Sequence, residues 1–192
     1  MRTQIKNLEL DHRATAHIAY LTCQWWDGVF IQAERFFSAS ANYNGEFPWE
    51  KNWINSTFLM ERLFLITSIH HALEYTEKLN IDFKKKNDFY FQKIIDEINR
   101  NIPIKDIYEL RNMNEHEFDY FIGMGDRQQN YKSTVFYNSL KVETSANITF
   151  IDSSKNIFIF GNVNISKLLE IMKTYLPFIQ KKTEEIFLQN FH

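Results

Sequence analysis

The sequence predicts a mainly helical single domain with a small antiparallel β-hairpin inserted before its closing helix. Apolar residues recur at steps of three and four through most of the 192-residue chain. Only 5 Gly and 3 Pro interrupt it, which favours long helices over a many-turned β fold. One window, from about Phe136 to Phe160, switches to β-branched and aromatic alternation. The length suits one domain with a full hydrophobic core. With 44% hydrophobic residues, including 18 Phe, that core is expected to be built from bulky rings.

The first helix is expected from about Asp11 to Ala41, with Ile18, Leu21, Trp25, Val29, Ala33 and Phe36 as its apolar stripe. Residues 40–45 carry turn chemistry, and Pro48 precedes the next start. A second helix spans about Trp49 to Leu79, with Phe58, Leu59, Leu63, Ile66, Ile69 and Leu73 facing the core and Asn80 as its stop. A third runs from about Asn87 to Asn99, burying Phe91, Ile94, Ile95 and Ile98. Pro103 suits the first turn of a fourth, since its missing N–H has no intrahelical partner there. That helix is expected from Ile104 to about Ile122, with a polar loop from Gly123 to Asn130.

Residues 147–151 and 157–160 then read as two strands of a hairpin around 152–156, joined by a third near Val135 to Val142. The closing helix starts after Asn164 or Ser166 and continues to about Leu188, with Pro177 as a kink. No internal repeat or low-complexity tract divides the chain.

Charge and cysteine content narrow the functions. The formal net charge is -2, so no general basic field covers the surface, and any contact with nucleic acid must come from a local site. Cys23 is the only cysteine, which excludes an intramolecular disulfide and a thiolate zinc cluster. The first residues lack the apolar core of a signal peptide, and no run of about 18 apolar residues suggests a membrane span. A cytoplasmic location without membrane attachment is expected.

Chemistry concentrates in the fourth helix, in Leu110-Arg111-Asn112-Met113-Asn114-Glu115-His116. On a helical count Ile107, Leu110, Phe118, Phe121 and Ile122 form the buried face. Asn112, His116 and Asp119 form a polar stripe about opposite it. Arg111 borders the buried face, roughly 140° from His116. His exchanges protons near neutral pH, and Arg holds a phosphate through paired N–H groups. Asn112, one turn before His116, is suited to orient the imidazole or the substrate. The plainer alternative has Arg111 covering the buried face with its stem and pairing with Glu115 one turn on.

The Arg-Asn-x-x-x-His pattern, preceded by a hydrophobic run, resembles the signature of the HEPN family. As architecture the resemblance extends over about 11–123; as motif it is six residues. It implies a helical bundle, a metal-independent endoribonuclease of toxin or antiviral type, and catalytic roles for Arg111, Asn112 and His116. It also implies a homodimer whose fourth helices meet and build one composite cleft, with RNA as substrate and an antitoxin as further partner. No cofactor and no metal are expected. The alternative is a non-catalytic dimeric helical module that binds a protein or a ligand.

The remaining candidates are weaker. Lys84, Lys85 and Lys86 form a basic run read as a solvated loop; if RNA binds, they and Lys132 are the expected phosphate contacts. His70 and His71 lie near Glu61 and Glu74 but lack the repeated Glu-x-x-His units of a di-iron bundle. They are expected as one core residue and one surface residue. Trp25-Trp26 and Phe36-Phe37 are expected in the core.

Overall fold

The computed structural model describes residues 12–41, 52–116, 124, 132–137, 140–145, 149–151, 156–159 and 163–190, with backbone alone at 52–56, 132–151 and 190. The order is α1 (His12–Ala41), α2 (Asn52–Lys85), α3 (Tyr90–Asn101), α4 (Ile104–Glu115), β1 (Lys132–Tyr137), β2 (Leu140–Ser145), β3 (Thr149–Ile151), β4 (Ile157–Ile159), β5 (Val163–Asn164) and α5 (Ile165–Asn190). The fold is mainly helical, with small antiparallel sheets before the closing helix. No described helix is long and apolar enough to cross a membrane.

Two long helices set the frame. α1 and α2 run antiparallel, pinned at successive levels by Thr15 to Asp82, Trp26 to Thr76, Gln32 to Glu61 and the Phe36–Phe58 stack. α5 lies antiparallel on another side of α1, with Gln180 donating to Asp27 and Tyr20 packed near Phe187. Two neighbours change which residues of α1 are buried. Ala16, Ala19, Thr22 and Trp26 occupy the inward seam, while Ile18, Leu21 and Trp25 flank it half-buried. The expected stripe is therefore off by about one residue, or roughly 100°, in the first half of the helix, whereas its second half, Val29, Ala33 and Phe36, is buried as expected. Small Ala and Thr side chains on that seam let the three helices approach closely.

Trp26 and Phe36 are fully buried, but Trp25 is half-buried and Phe37 is exposed. The largest fully buried side chains are Trp26, Phe36 and Phe91 plus nine aliphatic ones, so the described core is less aromatic than composition suggests.

Inside α1, Gly28 has no heavy atom within 4 Å of where a Cβ would stand. Gly in a helix interior costs about 0.8–1.0 kcal/mol relative to Ala. Gly28→Ala is therefore expected to stabilise the protein by about that amount, read as a higher urea midpoint. An unchanged or lower midpoint would show that the position is crowded or bent.

α2 passes the expected stop. Asn80 is buried and donates through its amide to Gln92 of α3 at 2.8 Å, so it works as a tertiary contact rather than a cap. The helix ends one and a half turns later, around Asn87, whose φ is 59°. Asn tolerates this left-handed conformation better than most residues. The bonds Asn87 N–H to Lys84 O and Asp88 N–H to Phe83 O close a Schellman-type cap. Lys84 and Lys85 thus belong to the last turn of α2, where positive charge suits the helix dipole.

α3 starts at Tyr90 instead of Asn87, with its first N–H accepted by Asp88 Oδ1. Its expected face of Phe91, Ile94, Ile95 and Ile98 is buried. Pro103 stands just before α4, whose first N–H is accepted by Asn99 Oδ1. α4 ends at Glu115, not near Ile122, because His116 leaves helical geometry at φ -110° and ψ 32°. Ile104, Ile107, Leu110 and Met113 are its buried face. The other residues expected on that face, Phe118, Phe121 and Ile122, lie outside the described residues, as does the polar-stripe residue Asp119.

The sheet region differs in its third strand. Residues 132–145 form their own two-stranded hairpin, β1 with β2, in register from Lys132 opposite Ser145 to Tyr137 opposite Leu140. The expected β3–β4 hairpin is present and gains β5 as its third strand. β4 packs on α5, and Ser166 Oγ accepts the Ile157 N–H. Asn164 Oδ1 accepts the Lys167 N–H and so caps α5, as its sequence position suggests. α5 continues through Pro177, which is exposed. Solvent can reach the carbonyl that Pro177 leaves unpaired.

Candidate functional site at the junction of α2 and α4

α4 lies antiparallel on α2, bringing together two sets of polar residues from distant parts of the chain. At one level Arg62, only 3% exposed, donates through Nη2 to Asn114 Oδ1 at 3.2 Å. At the next, Tyr108 packs its ring 4.6 Å from that of His70 and donates its hydroxyl to Glu77 at 2.7 Å. Between these levels stands Arg111.

Arg111 is held within its own helix. Nη1 pairs with Glu115 at 2.7 Å and reaches Asn112 Oδ1 at 3.1 Å. Its Nε is buried and has no hydrogen-bond partner among the described residues. The ion pair with Glu115 is the plainer alternative of the sequence reading, and the Asn112 contact adds a second tether. Asn112 is exposed, as is His116 in the turn that ends the helix, where the His116 N–H donates to Asn112 O at 3.1 Å. The three motif residues therefore cluster at one helix end.

The structure also brings His70 to Arg111, a neighbour the sequence could not place. Burial first, then the Arg111 guanidinium, push the His70 imidazole from its ordinary 6.5 down to about 4. Its Nδ1 is buried without a partner among the described residues. Leaving a buried polar atom unmatched costs about 1–3 kcal/mol.

His71, the next residue, is also half-buried, contrary to the expected split into core and surface. Its ring lies 4.6 Å from Trp25, and its Nδ1 is 3.2 Å from Glu74 Oε2. Burial alone would raise the Glu74 carboxyl, but hydrogen bonds from Lys78 and His71 outweigh it and hold the group below the usual carboxylate range. Glu61 is not part of this group; it accepts from Gln32 of α1.

A stability signature follows from the His70 environment. The unfolded chain takes up its proton near 6.5, but the folded chain does so only near 4. In that window the unfolded state binds more protons, so stability falls as the pH drops through it and levels off below. The slope is at most about 1.4 kcal/mol per pH unit and is reduced by partial exposure. Urea midpoints in chelating buffer at about pH 7 and about pH 4.5 should differ less for His70→Gln than for the natural chain. Equal acid sensitivity in both would contradict the assignment.

Of the lysines expected to contact phosphate, Lys84, Lys85 and Lys86 stand at the far end of α2 from this junction. Lys84 is fourteen residues from His70 along α2, roughly 21 Å at the helical rise. Lys86 is paired with Asp82 at 2.8 Å. Lys132 opens β1 opposite Ser145, and its side chain lies outside what the structure describes. Cys23 offers no activated thiolate. Burial raises its thiol, a bond from Thr183 offsets part of this, and the carboxylates of Asp27 and Glu184 raise it further.

Arg62 and Tyr108 did not stand out as site residues in the sequence, and His70 and Glu74 entered only as members of a di-iron set that lacks its second Glu-x-x-His unit. The usable signal was helical spacing, which places Glu74 one turn from both His70 and His71. No protein-family model matches this chain, and comparisons with curated proteins and with solved structures find no match.

Proposed function

We propose that the protein is a metal-independent endoribonuclease of HEPN-like type whose reacting groups stand at the C-terminal end of α4. The carrying observation is the joint placement of Arg111, Asn112 and His116 at one helix end, with Asn112 and His116 exposed and Arg111 anchored by Asn112 and Glu115. An anchored guanidinium loses little freedom when it takes a phosphate, and its fork geometry fits two phosphate oxygens. The reaction is attack of a ribose 2′-OH on the adjacent phosphorus, with departure of the 5′-oxygen. His116 takes or gives the proton, Arg111 stabilises the added charge on the phosphoryl oxygens, and Asn112 orients His116 or the substrate.

Arg111 lies within α4 and His116 just past its end, five residues on, so one chain does not pair them directly. A two-fold pair of α4 helices would let His116 of each chain serve the Arg111 of the other. A toxin or antiviral effector restrained by a cognate partner is the setting that this reading implies. The non-catalytic binding module is the second reading, favoured by the ion pair that occupies Arg111 in the isolated chain.

The test is incubation of the chelator-treated protein with structured and single-stranded RNAs and with DNA of the same sequences, alongside sedimentation. RNA cleavage in chelator, resistant DNA and a dimer are expected. Activity restored only by added metal, equal cutting of DNA, or a strict monomer that cleaves RNA would each contradict part of the proposal.

A further inference from the structure

His70, His71 and Glu74 occupy little more than one turn of α2, and one ligand atom from each lies within 4.8 Å of the others. They are the only such group among the described residues. We propose that these three side chains form a mononuclear site for a divalent cation of the zinc class, separate from the RNA chemistry of α4.

The donor set is two imidazoles and one carboxylate, which suits borderline cations such as Zn²⁺ and Co²⁺ and leaves at least one position open. Bonds of about 2.0–2.2 Å place neighbouring ligand atoms roughly 3.4 Å apart around a tetrahedral ion. His71 Nδ1 and Glu74 Oε2 already stand at 3.2 Å. The His70 atom lies within 4.8 Å of the other two, so it has at most about 1.4 Å to close on reaching the tetrahedral spacing.

The surroundings hold the ligands in usable form. Trp25 lies against the His71 ring and Tyr108 against the His70 ring, which limits their rotation. The charges facing the group are Arg111 from α4 and Lys78 from α2 itself. Arg111 is already paired with Glu115. Lys78, now 3.0 Å from Glu74, also lies over the Tyr75 ring at 4.4 Å, so it has a second resting place when a cation takes the carboxylate. The sequence reading sought the doubled Glu-x-x-His of a di-iron bundle, which cannot reveal a single-ion set drawn from one helix.

The experiment is titration of the full chain, stripped with chelator, by Zn²⁺ in calorimetry and by Co²⁺ in visible absorption. One ion per chain is expected, with Co²⁺ bands of a low-coordinate nitrogen–oxygen site. His71→Ala and Glu74→Gln should each weaken binding by more than the roughly 10–100-fold typical of outer-sphere changes. His116→Ala and a doubly substituted His12→Ala, His17→Ala chain should bind as before. Circular dichroism checks that each variant folds, and if one does not, the other decides.

No stoichiometric binding by the natural chain would overturn the site. So would binding that survives both cluster substitutions, or binding lost only when His12 and His17 are changed. RNA cleavage is read separately in chelator, so a chain that binds one ion but leaves RNA intact sinks the ribonuclease reading alone. A chain that cleaves RNA but binds no ion sinks the metal site alone.

Discussion

Replacing His116 with Ala is expected to lower the rate of RNA cleavage by about a hundred- to ten-thousand-fold, the usual cost of removing one proton-transfer group. Three features of the helix end argue for an effect of that size. His116 is exposed at the end of α4, so substrate can reach it. Its backbone N–H still donates to Asn112 O, so the substitution should leave the turn intact. Arg111 stays tied to Glu115 and Asn112 when His116 is replaced, so the phosphate-holding group keeps its place. Arg111→Ala should cost a similar factor, because no other described cation stands at that position to meet the phosphate. Arg111→Lys should recover only part of it, since an ammonium cannot form the paired contact. Asn112→Ala should be milder. The readout is single-turnover cleavage of a fixed RNA, with thermal melts confirming the fold. Unchanged cleavage in His116→Ala would remove His116 from the mechanism.

Trp26→Ala should be the most damaging single core change, costing about 3–5 kcal/mol. Trp26 is fully buried between α1 and α2. Its indole N–H donates to Thr76 Oγ at 2.9 Å, and the Thr76 hydroxyl in turn donates to Ala72 O at 2.7 Å. The substitution therefore opens a cavity and takes away the donor to Thr76 as well. Against a total stability of about 5–15 kcal/mol, that loss consumes a large share. Trp25→Ala is the matched comparison: one residue away, half-buried, and expected to cost much less. Equal losses at Trp25 and Trp26 in denaturant unfolding would mean that the inward face of α1 has been misassigned.

The same two residues show how far the sequence could be read. Period and composition were enough to find the helices and to mark Phe91, Ile94, Ile95 and Ile98 as the inner face of α3. They were enough to start α5 after Asn164 or Ser166, and Asn164 is the residue that caps it, because capping is local chemistry. What failed was whatever depended on a distant partner. In the first half of α1 the buried seam is set by two neighbouring helices, so a stripe counted along one helix ran through Ile18, Leu21 and Trp25, which flank it, while Val29, Ala33 and Phe36 are buried as expected. Asn80 was expected to stop α2 and Asn87 to open α3, yet Asn80 finds Gln92 across the α2–α3 turn while Asn87 takes the left-handed cap.

Legibility of the site divides the same way. The Arg111–Glu115 pair is a one-turn contact and was readable. The approach of Arg111 to His70 joins residues about forty apart, and nothing local encodes it. The hydrogen bond from Arg62 to Asn114 is of the same kind.

The central claim, that the end of α4 cleaves RNA through the substrate's own 2′-OH, is tested most directly by the chemical identity of the product ends. RNA cut by the chelator-treated protein should carry a 2′,3′-cyclic phosphate on the upstream fragment and a 5′-hydroxyl on the downstream one. Fragments ending in a 3′-hydroxyl and a 5′-phosphate would mean that water, not the ribose, attacked, and would contradict the account.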